Sequence, residues 1–466
     1  MDNSSNEFDP SKGFTSTNDI FGRKNFYLKI FKVITKSPEH GMVIALEDRW
    51  GQGKTSFVKM MHAEINNSPD LEGKINAIYF DAYSNDFHED PFIPISAEFH
   101  ELFSKPETKL NKFKDEFLKI ATRVGAATLS GGLKAVISTS TLGLVNGNEV
   151  VKGISDSVKD SAKETANDLT NSLATYVEKK ITAAKVEKVD IENFRKTLSE
   201  IHEKTGQHTV FIIDELDRAK PDFSLDLLEK IKHLFSVKNV TFILVMNREQ
   251  FEKVIEKRYG YIDSKNYLNK FINIFTSLPK IQHADLQASD LSLNSTIYKY
   301  IKQIPEAGRL FDYGGVIHIG LSYLIEINKC SLREAERCIS LMSIFSEQDG
   351  RIELRGPYAT ALVIMTFLKV YDSTLYERFM SKNTIAEDLI KNLHLDITPD
   401  LRTSIVRVHT NIVKLIRFHH LSQTYIQQNL DAIETDYNEL SWGGVRPENP
   451  FMVLKEGFEN FYINYT

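Results

Sequence analysis

The 466-residue sequence predicts an α/β fold in which a parallel sheet lies between helical layers. Three apolar runs point to it, because each ends in polar residues suited to phosphate or metal chemistry. Met42-Val43-Ile44-Ala45-Leu46 precedes Gly51-Gln52-Gly53-Lys54-Thr55, Val210-Phe211-Ile212-Ile213 precedes Asp214-Glu215-Leu216-Asp217-Arg218, and Val240 to Met246 ends in Asn247-Arg248. Each run has the length and unbroken apolar character of a buried parallel strand.

The first run leads into a phosphate loop. Glycines let backbone N–H groups turn inward around phosphate oxygens, and the helix begun by Ser56-Phe57-Val58 points its positive end at the same anion. Lys54 is placed to reach the β- and γ-phosphates, and the Thr55 hydroxyl to ligate Mg²⁺. One position departs from G-x-x-x-x-G-K-[ST]: Asp48 stands where the first glycine is usual, so its carboxylate must point away from a triphosphate or be paired, with Arg49 the nearest cation.

The second run delivers carboxylates to a strand end. Asp214 is placed to support Mg²⁺, and Glu215 to polarise the attacking water as general base. Arg218 is a candidate either to stabilise transition-state charge or to pair locally, and Asp217 reads as structural. Asn247 at the tip of the third run is a candidate γ-phosphate contact, with a simple strand cap as the alternative. These segments in this order define a three-layer P-loop NTPase core of the additional-strand, catalytic-glutamate type. No [NT]-K-x-D motif is present, which favours ATP over GTP.

Further segments resemble the KAP family of P-loop NTPases. Asp19-Ile20-Phe21-Gly22-Arg23 resembles the family's motif before the first strand, and Leu46 to Phe57 its Trp-Gly-x-Gly-Lys loop. Ile78 to Tyr83 with Glu89-Asp90-Pro91-Phe92 resembles its second strand and turn. Asp214 to Arg218 is similar to its Asp-Arg-ending Walker B motif, and Tyr267 to Phe271 with Leu278-Pro279 to its closing segment. The resemblance implies that Arg23, Trp50, Gly51, Gln52, Gly53, Lys54, Thr55 and Ser56 form the ATP site, with Mg²⁺ as cofactor. Ser331 to Arg337 resembles the arginine-bearing helix of the family's lid, which implies that Arg333, or secondarily Arg337, reads the nucleotide. Asp48, Tyr83 and Asn247 depart from the family's usual Gly, Trp and Asp. A namesake's phage exclusion implies a role in bacterial conflict with phage, by analogy of fold alone.

Composition sets the surroundings. A net charge of −6 argues against a general nucleic-acid binder. The two cysteines, Cys330 and Cys338, fall eight apart on one expected helix, too far for a disulfide there, which fits a cytoplasmic protein. The thirteen histidines show no zinc spacing. Residues 1–17 are acidic and polar, read as a loose terminus and not a signal peptide. The NTPase core is expected over 18–102 and 191–285, interrupted by a helical insertion at 103–190. A helical lid follows at 286–345 and a helical C-terminal domain at 346–466.

Many KAP proteins carry membrane helices where this insertion lies. Here Val124 to Val145 is the most apolar window, but Lys134 near its centre costs about 2.5–3.5 kcal/mol and Gly131-Gly132 interrupts it. A buried or membrane-touching hairpin fits better than a span. Val151 to Ile181 reads as a long amphipathic helix with a thin apolar stripe, which needs a partner: its own domain, another copy, a different protein or a membrane surface. In the C-terminal third, Tyr358 to Val370 reads as a core helix. Leu401 to Leu421 reads as an amphipathic helix carrying Arg402, Arg407, Lys414 and Arg417, and an aromatic tail follows Phe451. The sequence thus predicts a Mg²⁺-dependent ATPase acting as a conformational or assembly switch, through self-association or a protein partner. A scaffold with little turnover and a nucleic-acid-stimulated ATPase are the alternatives.

Overall fold

The computed structural model describes residues 8–36, 41–106, 109–129, 189–280, 295–310, 315–344, 356–397, 405–429 and 449–458. Five strands, β1 (Met42–Glu47), β2 (Ile75–Asp81), β3 (His208–Asp214), β4 (Val240–Met246) and β5 (Ile274–Ser277), form one sheet in the order β2-β3-β4-β1-β5. Every pairing is parallel, so all C-terminal ends share one edge. β4 lies between β1 and β3, which is the additional strand of the predicted core.

Side chains alternate between the two faces. Ile44, Leu46, Val210, Ile212, Ile243 and Val245 pack under helices α1 (Lys24–Thr35) and α2 (Lys54–Asn66). Val43, Ala45, Phe211, Ile213, Phe242 and Leu244 pack on the opposite face, beneath Phe92–Ser104, Lys114–Leu129, the helical residues 189–205, Pro221–Lys230 and Arg248–Tyr259. Covering on both faces explains why these strands read as continuous apolar runs; β4 is buried at every position. At the centre of the second layer Phe99 stacks on Phe235, centroids 5.5 Å apart, and meets Phe211 at 5.3 Å.

Part of the expected insertion belongs to this layer. Helix Lys114–Leu129 buries Phe117 and Val124 against the sheet side, and Gly125 packs against Ile93 and Phe92. The rest of the Val124–Val145 window and the amphipathic stretch 151–181 lie outside the described residues. No helix among the described residues is long and apolar enough to cross a membrane.

The helical half is built around one core. Thr296–Gln303, Val316–Ile327, Leu332–Ser343, Pro357–Tyr371, Ile405–His419 and Pro450–Phe458 contribute side chains to a single cluster running from Ile297 to Leu454. The division expected at residue 345 falls between helices that share this core. Pro357–Tyr371 is buried nearly all round, as an apolar sequence on every helical face requires. Arg417 of the basic helix makes a two-pronged pair with Glu387, Nε–Oε1 at 2.8 Å. Arg402, Trp442 and the tail residues Phe461, Tyr462 and Tyr465 lie outside the described residues.

Two expectations are corrected. Cys330 precedes the N-cap Ser331 and so is not on the helix that carries Cys338; both thiols are free and buried. The N-terminal stretch is not loose over 8–17. Phe14 is buried and stacks on Tyr27 at 5.1 Å, and Asn18 clamps the turn by donating to the carbonyls of Asp9 and Gly13. An apolar residue inside a polar segment supplied that anchor.

Replacing Phe99 by Ala removes a ring from the centre of the second layer. A loss of about 3–5 kcal/mol is expected, read as a lowered midpoint in urea unfolding.

Candidate nucleotide site

The loop after β1 turns on Gly51 (φ 76°) and Gly53 (φ 78°), conformations that side chains rarely adopt. Both positions are also closed to a Cβ. One at Gly51 would fall 2.9 Å from the Arg333 Cβ, and one at Gly53 would fall 2.9 Å from the Arg23 guanidinium. α2 starts at Lys54, and its ammonium folds back over the loop to donate to the carbonyls of Asp48 (2.6 Å) and Arg49 (2.9 Å). An ammonium has three donors, so one remains for an anion. Burial lowers the Lys54 pKa, opposed by the charges of Asp217, Asp48, Asp214 and Glu215.

Arg23 braces the loop from behind. Its Nη2 donates to the Gln52 carbonyl at 2.9 Å and its Nη1 to that of Gly53 at 3.4 Å, while the guanidinium lies 4.9 Å over the Phe21 ring. Burial pulls its pKa down to about 10, which still leaves it charged at neutral pH. Arg23 therefore holds the loop's shape through backbone carbonyls. Asp48 accepts from the Arg49 N–H at 2.8 Å and lines a second cavity of ≈390 Å³ with Arg49, Asn247 and Arg248. It does not line the cavity that Lys54 faces.

β3 brings the carboxylates to the same edge. Asp214 is almost fully buried, its Oδ1 accepting from the Glu215 N–H (2.9 Å) and its Oδ2 from the Tyr79 hydroxyl (3.0 Å). Burial raises its pKa, and hydrogen bonds from Thr55, the Glu215 backbone and Tyr79 counter this. Glu215 has a left-handed backbone, φ 59°. Its Oε1 lies 3.4 Å from the Thr55 hydroxyl and its Oε2 lies 2.6 Å from Arg218 Nη1. Burial raises the Glu215 pKa, and the Arg218 cation acts in the other direction. Asp217 accepts from the indole N–H of Trp50 at 2.6 Å, tying the tip of the phosphate loop to the turn after β3.

The lid closes on the loop from the other side. Ser331 and Glu334 form a reciprocal capping box at the start of Leu332–Ser343. The Leu332 N–H donates to the Gly51 carbonyl at 3.1 Å. Between lid and core lies a cavity of ≈450 Å³. Arg23, Trp50, Gly51, Gly53, Lys54, Thr55, Ser56, Asp214, Glu215, Arg218 and Arg333 line it together, and Tyr300, Gln303 and Glu306 extend it away from the loop. Tyr300 donates to Glu336 across the lid.

Three expected positions do not line the first cavity. Gln52 contributes its carbonyl to Arg23. Asn247 caps helix Arg248–Tyr259, its side-chain oxygen accepting from the Gln250 N–H at 3.4 Å, and it faces the second cavity. Arg337 does not line the first cavity. Tyr79 was not legible as a site residue, because only the pairing of β2 with β3 sets it beside Asp214.

The donors fit the expected ligands. Mg²⁺ takes one or two protein oxygens and completes its shell with water and phosphate. The Thr55 hydroxyl and the Asp214 carboxylate supply that set. Among the described residues no cluster of three His, Cys, Asp or Glu is arranged to hold a metal.

A parallel sheet with this strand order, a glycine loop capped by Lys54 and carboxylates one strand away together define a P-loop nucleotide-binding domain. The profile of the KAP family P-loop domain matches residues 23–345, and the chain belongs to that family. No curated protein matches it. Among solved structures it is similar to the Aeropyrum pernix ORC2 protein in ADPNP–ADP complexes, at 12% identity and a TM-score of 0.35, over 97% of this chain and 87% of that one. It is similar also to the Aeropyrum pernix ORC1 protein in complex with DNA, at 11% identity and 0.34, over 90% and 83%.

Gly51→Ala adds about 1–3 kcal/mol of backbone strain and drives a methyl into the lid. ATP affinity is expected to fall about 5- to 150-fold, measured by calorimetric titration. Trp50 lines the cavity, so in a Trp442→Phe background ATP should change the remaining indole emission. Lys54→Ala should abolish that change at the same ATP concentration.

Proposed function

We propose that this chain hydrolyses ATP with Mg²⁺ and uses the reaction to change its conformation or its assembly. The observation that carries the reading is the convergence, in one cavity, of Lys54, Thr55, Asp214 and Glu215 from the core with Arg333 from the lid. In the reaction a water oxygen bonds to the γ-phosphorus, and the bond to the β-phosphate oxygen breaks with its electron pair leaving on ADP. Glu215 accepts the water proton. Lys54 places its third donor on the phosphates, and Arg333 approaches them from the lid. Mg²⁺ held by Thr55 and Asp214 would neutralise charge on the β- and γ-oxygens.

The lid contact supports the switch reading. Leu332 hydrogen-bonds the loop backbone itself, so a change in the loop on nucleotide exchange reaches a helical body that shares one core. The partner we propose is a second copy or another protein, meeting the 103–190 insertion or the C-terminal region. The net charge keeps nucleic acid the less favoured partner. A cytoplasmic, anti-phage role follows from family analogy alone. The scaffold reading rested on Asp48, and its place on the second cavity supports a working loop instead.

Steady-state hydrolysis should fall about 10²–10⁴-fold in Glu215→Gln with ATP binding retained, and binding itself should be lost in Lys54→Ala. Chelation of Mg²⁺ should stop turnover. A single species by light scattering with ATP, with ADP and without nucleotide would refute assembly, and a large gain in affinity in Asp48→Gly would favour the scaffold.

A further inference from the structure

We propose that Arg218 is a positioning residue that holds Glu215 away from water and so sets a low resting rate of hydrolysis; this rests on the ATPase reading above. The Glu215 carboxylate is engaged at Oε2 by Arg218 Nη1 at 2.6 Å, and its Oε1 lies farther, 3.4 Å, from the Thr55 hydroxyl. A general base needs an oxygen open to the water it deprotonates. The stronger of the two contacts is the charged one, a hydrogen bond between ionised partners.

The backbone offers no easy escape. The Glu215 carbonyl accepts from the N–H groups of Arg218 (3.1 Å) and Ala219 (3.3 Å), which fixes the turn around the left-handed Glu215. Asp217, between the two, is anchored by the Trp50 indole at 2.6 Å. Freedom is left to the side chains, and the Arg218 side chain is the more exposed member of its pair, 35% against 18%. Release of the base is therefore rotation of the Arg218 guanidinium off Oε2. A partly exposed ion pair is weak enough to open during each turnover and strong enough to lower the fraction of time the base is free.

This separates Arg218 from a group that acts on the nucleotide. A transition-state cation lowers kcat when removed. A restraint on the base raises it. The test measures kcat and KM for ATP on the full chain, with ATP binding measured in parallel, for wild type, Arg218→Met, Arg218→Lys and Arg218→Met/Glu215→Gln. In Arg218→Met kcat should rise about two- to fivefold, the size that loss of one partly exposed ion pair allows, with KM moved less than kcat. Arg218→Lys, which restores the charge, should bring kcat back towards wild type, and the double variant should be inactive. An unchanged or reduced kcat in Arg218→Met overturns the proposal, including the case where the proteins bind ATP and none turns over. Absence of ATP binding in wild type overturns the ATPase reading and this proposal with it.

Discussion

The placement of β4 between β1 and β3 is the constraint on which the site depends. Parallel pairing in register sets Leu46 beside Val245 and Ile213 beside Leu244, so the phosphate loop and the Asp214-Glu215 pair emerge at one level of one sheet edge. They are separated by the width of a strand, roughly 5 Å to either side. Such a gap can take a phosphate with its metal. The cost is a central strand buried at every position, and Val240 to Met246 meets it with an unbroken apolar run.

Charge burial shapes the site as much as strand order. Arg23 and Lys54 are both buried, and a buried cation without partners is strongly unfavourable. Each donates chiefly to loop carbonyls, Arg23 to Gln52 and Gly53, Lys54 to Asp48 and Arg49. The phosphate loop is thus held by two cations gripping its carbonyls from opposite ends. Asp48, the departure from the usual glycine, lines a different cavity, and its carboxylate accepts from its own neighbour's N–H.

The lid is joined to this loop by backbone, which makes Gly51 a junction between the two halves. It is left-handed, it presents its carbonyl to Leu332, and it leaves room for Ser331 and Arg333 where a side chain would stand. Two of the segments that resemble the family's motifs also meet in space, since Trp50 donates to Asp217. A tryptophan in the loop and an acidic residue after β3 are two ends of one hydrogen bond.

The sequence by itself determined the class of fold, the phosphate loop and the paired carboxylates, because strand runs and glycine turns are local properties of neighbouring residues. It also marked Tyr358 to Val370 as a core helix from pattern alone, and the helix Pro357–Tyr371 is buried nearly all round. Only the tertiary structure decided what the polar side chains face. Asn247 caps a helix and Arg218 pairs with Glu215, contacts that the sequence left open because both partners lie within one turn. Tyr79 beside Asp214 and Arg333 beside Gly51 depend on contacts between segments 135 and more than 280 residues apart, and no local periodicity encodes those. The Phe14 anchor shows the same limit on a small scale: a mostly polar segment looks loose until Phe14 finds Tyr27 and the core beneath it.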